Sequence, residues 1–175
     1  MVEELGQFLT PNNRLDVRAV ALAEILGLTG TPEGLTALSS VQSIQSSLIS
    51  LVSDPAEVIA IDACLALINL SSDPTCVQSL LELPSLVPTL HKEMADKQSK
   101  LAVKVTQVLS NLTRDMASCI KVYSQLKKAG IGVDSLVNLL CQEGYNLAGQ
   151  ELNFLGPVMS NLSQLVEVRK EILGR

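Results

Sequence analysis

Tryptophan is absent from this chain, and phenylalanine and tyrosine occur only twice each. Sheets favour aromatic side chains and helices favour leucine, so this scarcity beside 31 leucines points to an all-helical protein. There is one histidine, His91, and neither CxxC nor HxxxH spacing, so no metal-ligand pattern is present. Ala129-Gly-Ile-Gly132 lacks the GKS/T ending and preceding strand of a phosphate loop. No cofactor is therefore expected. The longest uncharged stretch, Gly34 to Ser53, holds Thr36, seven serines and two glutamines, too polar to cross a bilayer. The N-terminus carries Glu3 and Glu4 in place of a basic region and an apolar stretch, so no export is expected and the address read is cytosol or nucleus.

What is present begins with length and charge. A chain of 175 residues has room for one domain with a substantial core. The net charge of −5 argues against a general nucleic-acid binder. It is unevenly placed: residues 1–91 carry ten acids against two bases, residues 92–128 eight bases against three acids, and residues 129–175 five acids against three bases. An electrostatic partner site should therefore be local. Cys64, Cys76, Cys119 and Cys141 are widely spaced and read as small core residues in a reducing compartment. A cysteine-dependent enzyme with His91 as its base is the catalytic alternative, but no local signature supports it, and the chain is read as no enzyme.

An internal repeat decides the fold class. Leu67-Ile-Asn-Leu-Ser-Ser-Asp73 recurs as Leu109-Ser-Asn-Leu-Thr-Arg-Asp115 and Met159-Ser-Asn-Leu-Ser-Gln-Leu165, with a fainter first copy at Leu26-Gly-Leu-Thr-Gly30. The register Gly27, Asn69, Asn111, Asn161 has spacings of 42, 42 and 50. The eight extra residues are assigned to an enlarged connection between about Lys127 and Gly149, which includes Gly144-Tyr-Asn146. Each period holds a long amphipathic segment ending in the phrase, Asp54 to Leu70 in the second copy and Asp96 to Leu112 in the third, with two shorter segments beside it. Pro84 and Pro88 mark a boundary and a first turn, and Pro157 should kink the fourth long helix unless that helix starts late. Three helices per period give a right-handed armadillo/HEAT-type helical repeat solenoid of about four repeats, one domain over 1–175.

The block Leu48 to Asp73, with its short helix, Ser-Asp-Pro break, long helix and Asn-Leu-Ser ending, resembles an armadillo repeat. The resemblance implies that Asn69, Asn111 and Asn161 line a concave groove, where the family's asparagine clamps an extended peptide. Importin-type members also carry a tryptophan one turn earlier, where Leu65, Gln107 and Pro157 stand, so binding of basic import signals is not expected. A closer resemblance rests on Phe8-Leu-Thr-Pro11, Leu28-Thr-Gly30, Leu140-Cys-Gln-Glu-Gly-Tyr-Asn146 and Pro157-Val-Met-Ser-Asn-Leu-Ser-Gln164. Together these are similar to the N-terminal half of the Hgh-one family. That implies a cytosolic adaptor or chaperone cofactor whose partners are translation elongation factor two and the cytosolic ring chaperonin, and a chain that is the N-terminal part of a longer protein. The alternative in the same fold is an importin-like or scaffold protein with peptide cargo.

On the third long helix Lys100, Lys104, Gln107, Asn111 and Arg114 recur at four and three, on one face, with Lys97 extending the basic end. Matching positions are Val58, Asp62, Leu65 and Asn69 on the second and Gln150, Phe154, Pro157, Asn161 and Gln164 on the fourth. The groove expected for a protein client is thus Asp62, Asn69, Lys100, Lys104, Gln107, Asn111, Arg114, Phe154 and Asn161. The Asn-x-Ser/Thr triplets match a glycosylation acceptor; their hydroxyls are read instead as satisfying backbone groups at helix ends. An apolar strip of Leu165, Val166, Val168 and Ile172 in the last helix is expected to be exposed and to favour self-association.

Overall fold

The computed structural model describes residues 2–144, 149 and 152–174. Twelve helices and no strand occur among them: α1 (Val2–Phe8), α2 (Leu15–Leu28), α3 (Pro32–Ser39), α4 (Gln42–Leu51), α5 (Glu57–Ser72), α6 (Pro74–Leu81), α7 (Leu86–Ala95), α8 (Ala102–Leu112), α9 (Met116–Lys128), α10 (Val133–Cys141), α11 (Leu155–Leu162) and α12 (Val166–Ile172). They stack in rows. The long helices pack α2 on α5, α5 on α8 and α8 on α11, with α3 on α6 on α9 in a second row and α1 on α4 on α7 in a third.

The register that spaces the asparagines also spaces the core. Ile25, Leu67, Leu109 and Met159 stand at one repeat position, and all are buried. Ala21, Ala63, Val105 and Leu155 occupy a second such position, equally buried. Each repeat closes its apolar face on the next, so the core is continuous from Leu9 to Val168.

The boundaries recur as well. Thr31, Asp73 and Asp115, 42 residues apart, are the N-caps of α3, α6 and α9. Their side-chain oxygens accept from Gly34 N (3.1 Å), Thr75 N (2.8 Å) and Ser118 N (2.9 Å), satisfying amides that the first turn leaves without partners. Pro32 and Pro74 follow at the first helical position, where proline loses nothing. Gly34 sits so close to the α2 end that a Cβ would lie 2.0 Å from the Leu28 carbonyl oxygen.

Several expected boundaries differ. The third long helix starts at Ala102 and not at Asp96. Asp96 accepts from Gln98 N and Ser99 Oγ from Leu101 N, and these local bonds hold residues 96–101 in turns. The fourth long helix starts at Leu155, so Pro157 falls in its first turn and breaks no helical hydrogen bond. The eight extra residues of the last period are divided: α9 has 13 residues against 8 in α6, and the rest lie between α10 and α11. Tyr145, Asn146 and Gln150 lie outside the described residues. Cys64, Cys76 and Cys119 are buried as expected, but Cys141 at the end of α10 is exposed.

No single described helix is long and apolar enough to cross a membrane; α5 and α6 reach that length and composition only as a pair, with a bend of 117° between them. The α12 strip is split: Leu165 and Val168 are buried, while Val166 is 48% and Ile172 43% exposed.

Candidate protein-binding wall

Among the described residues, the long-helix row α2, α5, α8 and α11 leaves one face uncovered. Across it the repeat register forms columns: Asp16, Val58 and Lys100; then Val20, Asp62, Lys104 and Phe154; then Ala23, Leu65, Gln107 and Pro157; and last Gly27, Asn69, Asn111 and Asn161. Val20 is 64% exposed, Val58 51% and Leu65 37%, large fractions for aliphatic side chains beside a continuous core.

The asparagine column links repeats. Asn69 Nδ2 donates to Thr29 Oγ1 (2.8 Å), Asn111 Nδ2 to Ser71 Oγ (3.1 Å) and Ile68 O (3.3 Å), and Asn161 Nδ2 to Thr113 Oγ1 (3.2 Å). Each carboxamide reaches the hydroxyl two positions after the column residue of the preceding repeat. Those hydroxyls donate to backbone carbonyls of their own helix ends, Thr29 to Leu26 O, Ser71 to Ile68 O and Thr113 to Leu109 O, as the sequence implies for Ser71 and Thr113 and as Ser163 does to Ser160 O. The second role, as acceptor from the next repeat, was missed, although the phrase Asn-Leu-Ser/Thr carries both partners. Asn69 is exposed, Asn161 half-buried and Asn111 buried. Asn111 thus offers its amide to the neighbouring repeat, and its Oδ1 accepts from Arg114 Nη2 (2.6 Å).

The basic side chains stand on or beside α8. Lys100, in the turn before the helix, pairs with Glu57 Oε2 on α5 (2.8 Å). Both are more than half exposed, so the pair contributes little and a partner can displace it. Lys104 and Gln107 are half-buried on the helix, and Arg114 is exposed at its end. Asp62 and Phe154 are half-buried on the neighbouring repeats. Sequence reasoning overlooked the N-terminal end of the wall, where Phe8 of α1 and Val20 of α2 are exposed together; Val20 lies one period before Asp62.

Three of the four cysteines are buried. Burial pushes the Cys64 thiol up to about 12, and burial together with Asp73 and Asp115 raises those of Cys76 and Cys119, so the reactive thiolate is disfavoured in each. His91 Nε2 shares a hydrogen bond with Ser135 Oγ (2.7 Å). Among the described residues no three His, Cys, Asp or Glu side chains gather where they could hold a metal ion.

Stacked three-helix repeats with an uncovered long-helix row define an armadillo-type helical repeat protein. A crystal structure of computationally designed armadillo repeat proteins for modular peptide recognition matches with a TM-score of 0.76 at 18% identity, over 99% of this chain and 70% of that one. A designed armadillo repeat protein in complex with peptide (KR)4 matches with the same score and identity, over 99% of this chain and 69% of that one. Residues 51–175 match the family described as a domain of unknown function, DUF383, and the chain belongs to that family. It is 39% identical to the Protein HGH1 homolog of Xenopus laevis over all of this chain and 49% of that protein, and 37% identical to that of Danio rerio over 99% and 46%. The Homo sapiens homolog is 36% identical over 98% of this chain and 44% of its own length. The chain spans about half the length of these relatives, and the resemblance to the Hgh-one family extends along nearly all of it.

Proposed function

We propose that this chain binds a protein client on the wall formed by α2, α5, α8 and α11 and contributes no chemistry, acting as an adaptor or chaperone cofactor. The carrying observation is the wall itself: exposed Val20, Val58 and Leu65 stand beside Lys100, Lys104 and Arg114 on a row joined by the asparagine bridges. An apolar surface with charged neighbours suits a folded or partly folded client more than a uniformly charged tail. The family likeness extends the reading to translation elongation factor two as client, folded with the cytosolic ring chaperonin, and to the cytosol as the working compartment.

The test is charge reversal. Lys100→Glu with Lys104→Glu should weaken binding to elongation factor two by about tenfold, or ~1.4 kcal/mol, at low salt, and by less at high salt. The control is Lys92→Glu with Lys128→Glu, both exposed on other rows. Lys127 is unsuitable, because it bridges to Glu171 on α12 at 3.0 Å. Equal loss from both pairs would assign binding to net charge, and no loss from either would remove α8 from the site.

A further inference from the structure

The wall reverses charge along its length, and its N-terminal end is shaped. Where α1 crosses α2, a slot of about 340 Å³ is floored by Leu5, Phe8, Val17 and Val20 and flanked by Asp16 and Glu24. Phe8 is 45% and Val20 64% exposed. Asp16 and Glu24 are eight residues apart on one helix, about 12 Å, with Val20 midway between them. An apolar floor with a carboxylate at each end suits an aliphatic side chain with a cation beside it. Arg14 fills part of this role for Asp16 (2.7 Å), but both side chains are mostly exposed, 82% and 62%, and such a pair is readily exchanged.

Resting on the client-binding reading above, we infer that the slot seats an apolar residue of the partner flanked by lysine or arginine, while the same partner segment presents acidic residues to Lys100 and Lys104. Charge complementarity selects this occupant: the slot offers acids, α8 offers bases, and α5 between them offers Val58 and Leu65 with Asp62. Two helix spacings separate α2 from α8, roughly 18 Å, which an extended chain covers in about five or six residues. The partner segment therefore reads apolar-basic at one end and acidic about five or six residues away.

The experiment uses the full chain and fluorescent synthetic peptides carrying a Lys-Leu-Arg block and a Glu-Glu block separated by a neutral spacer, in both orders, plus each block alone. Fluorescence anisotropy should show one order binding at least about tenfold tighter than either block alone, because the second contact is intramolecular. Asp16→Lys with Glu24→Lys, and separately Lys100→Glu with Lys104→Glu, should each reduce it to the affinity of one block. Val20→Asp, at an exposed position, should do the same to the slot, with circular dichroism unchanged for every variant. Affinity indifferent to the Asp16 and Glu24 reversals, or blocks that bind as tightly as the whole peptide, would overturn the inference. So would sedimentation in which the slot variants alter only self-association, since the occupant would then be a second copy of this chain. Elongation factor two binding that responds to Lys100 and Lys104 but ignores the slot variants would overturn the slot and leave the client reading standing. Peptide results as expected with no binding of the factor would do the reverse.

Discussion

Asn111 Nδ2 on α8 donates to Ser71 Oγ at the end of α5 across 3.1 Å, joining residues one repeat apart. The same bond recurs between Asn69 and Thr29 and between Asn161 and Thr113, so one side-chain pair is used at three successive repeat interfaces. Burial differs along the series, and stability should follow it. Removing the buried Asn111 leaves the Ser71 hydroxyl and Ile68 carbonyl short of a donor, and Asn111→Ala is expected to cost about 1–3 kcal/mol. Asn69 is exposed, water replaces its amide, and Asn69→Ala should cost less than about 1 kcal/mol. Urea midpoints measure both, and equal small losses would show that the bridges do not hold the repeats.

Arg18 on α2 pairs with Asp54 before α5, with side chains 10% and 4% exposed. Breaking one side of a buried pair strands the other charge. Arg18→Met should therefore destabilise by about 3–5 kcal/mol, and Arg18→Met with Asp54→Leu should recover most of that loss. A single variant within about 0.5 kcal/mol of the parent, the size of an ordinary surface change, would show that the pair is solvated.

Burial holds the His91 imidazole below its ordinary 6.5. As pH falls below 6.5 the unfolded chain takes up this proton before the folded one, so stability should drop between about pH 6.5 and the lower folded value. His91→Gln should flatten the melting temperature across that window. At lower pH the caps follow: hydrogen bonds from Thr75 and Ser118 pull Asp73 and Asp115 below 3.8, so their contribution is present above that value and lost as pH falls through the folded ones. A pH profile unchanged by His91→Gln would locate the titrating group elsewhere.

Of the four cysteines, Cys141 is exposed and three are buried. A maleimide should modify Cys141 rapidly in the native chain and reach Cys64, Cys76 and Cys119 only as the repeats open. Faster labelling of any buried thiol than of Cys141 would return the cysteine-enzyme reading to consideration.

Ile172 occupies the register of Leu38, Leu80 and Val122, which are buried, yet it is 43% exposed, and Leu173 beside it is 68% exposed. Adjacent exposed aliphatic side chains favour association, so the chain should self-associate with rising concentration, and Ile172→Glu with Leu173→Glu should abolish this in sedimentation velocity. A parent chain that stays monomeric at the highest concentration would refute it.

Composition and periodicity sufficed for the all-helical class, the 42-residue register and the row of long helices, because a repeat must present the same apolar face at the same interval for its neighbour to cover. The Asn-Leu-Ser/Thr-x-Asp phrase even encoded the bridge and the next N-cap, since both are local in register. What each asparagine does was decided only in three dimensions. Asn69 and Asn111 share one phrase, but Asn111 is buried at the α5–α8 interface and bonded to Ile68 O, Ser71 and Arg114, while Asn69 remains exposed. The early start read for α8 failed for a related reason: Asp96 and Ser99 bind nearby amides, and that competition with the helix is settled by side-chain geometry. The slot between α1 and α2 was equally hidden, because it depends on where a short helix crosses a long one, a contact that no spacing within either helix encodes.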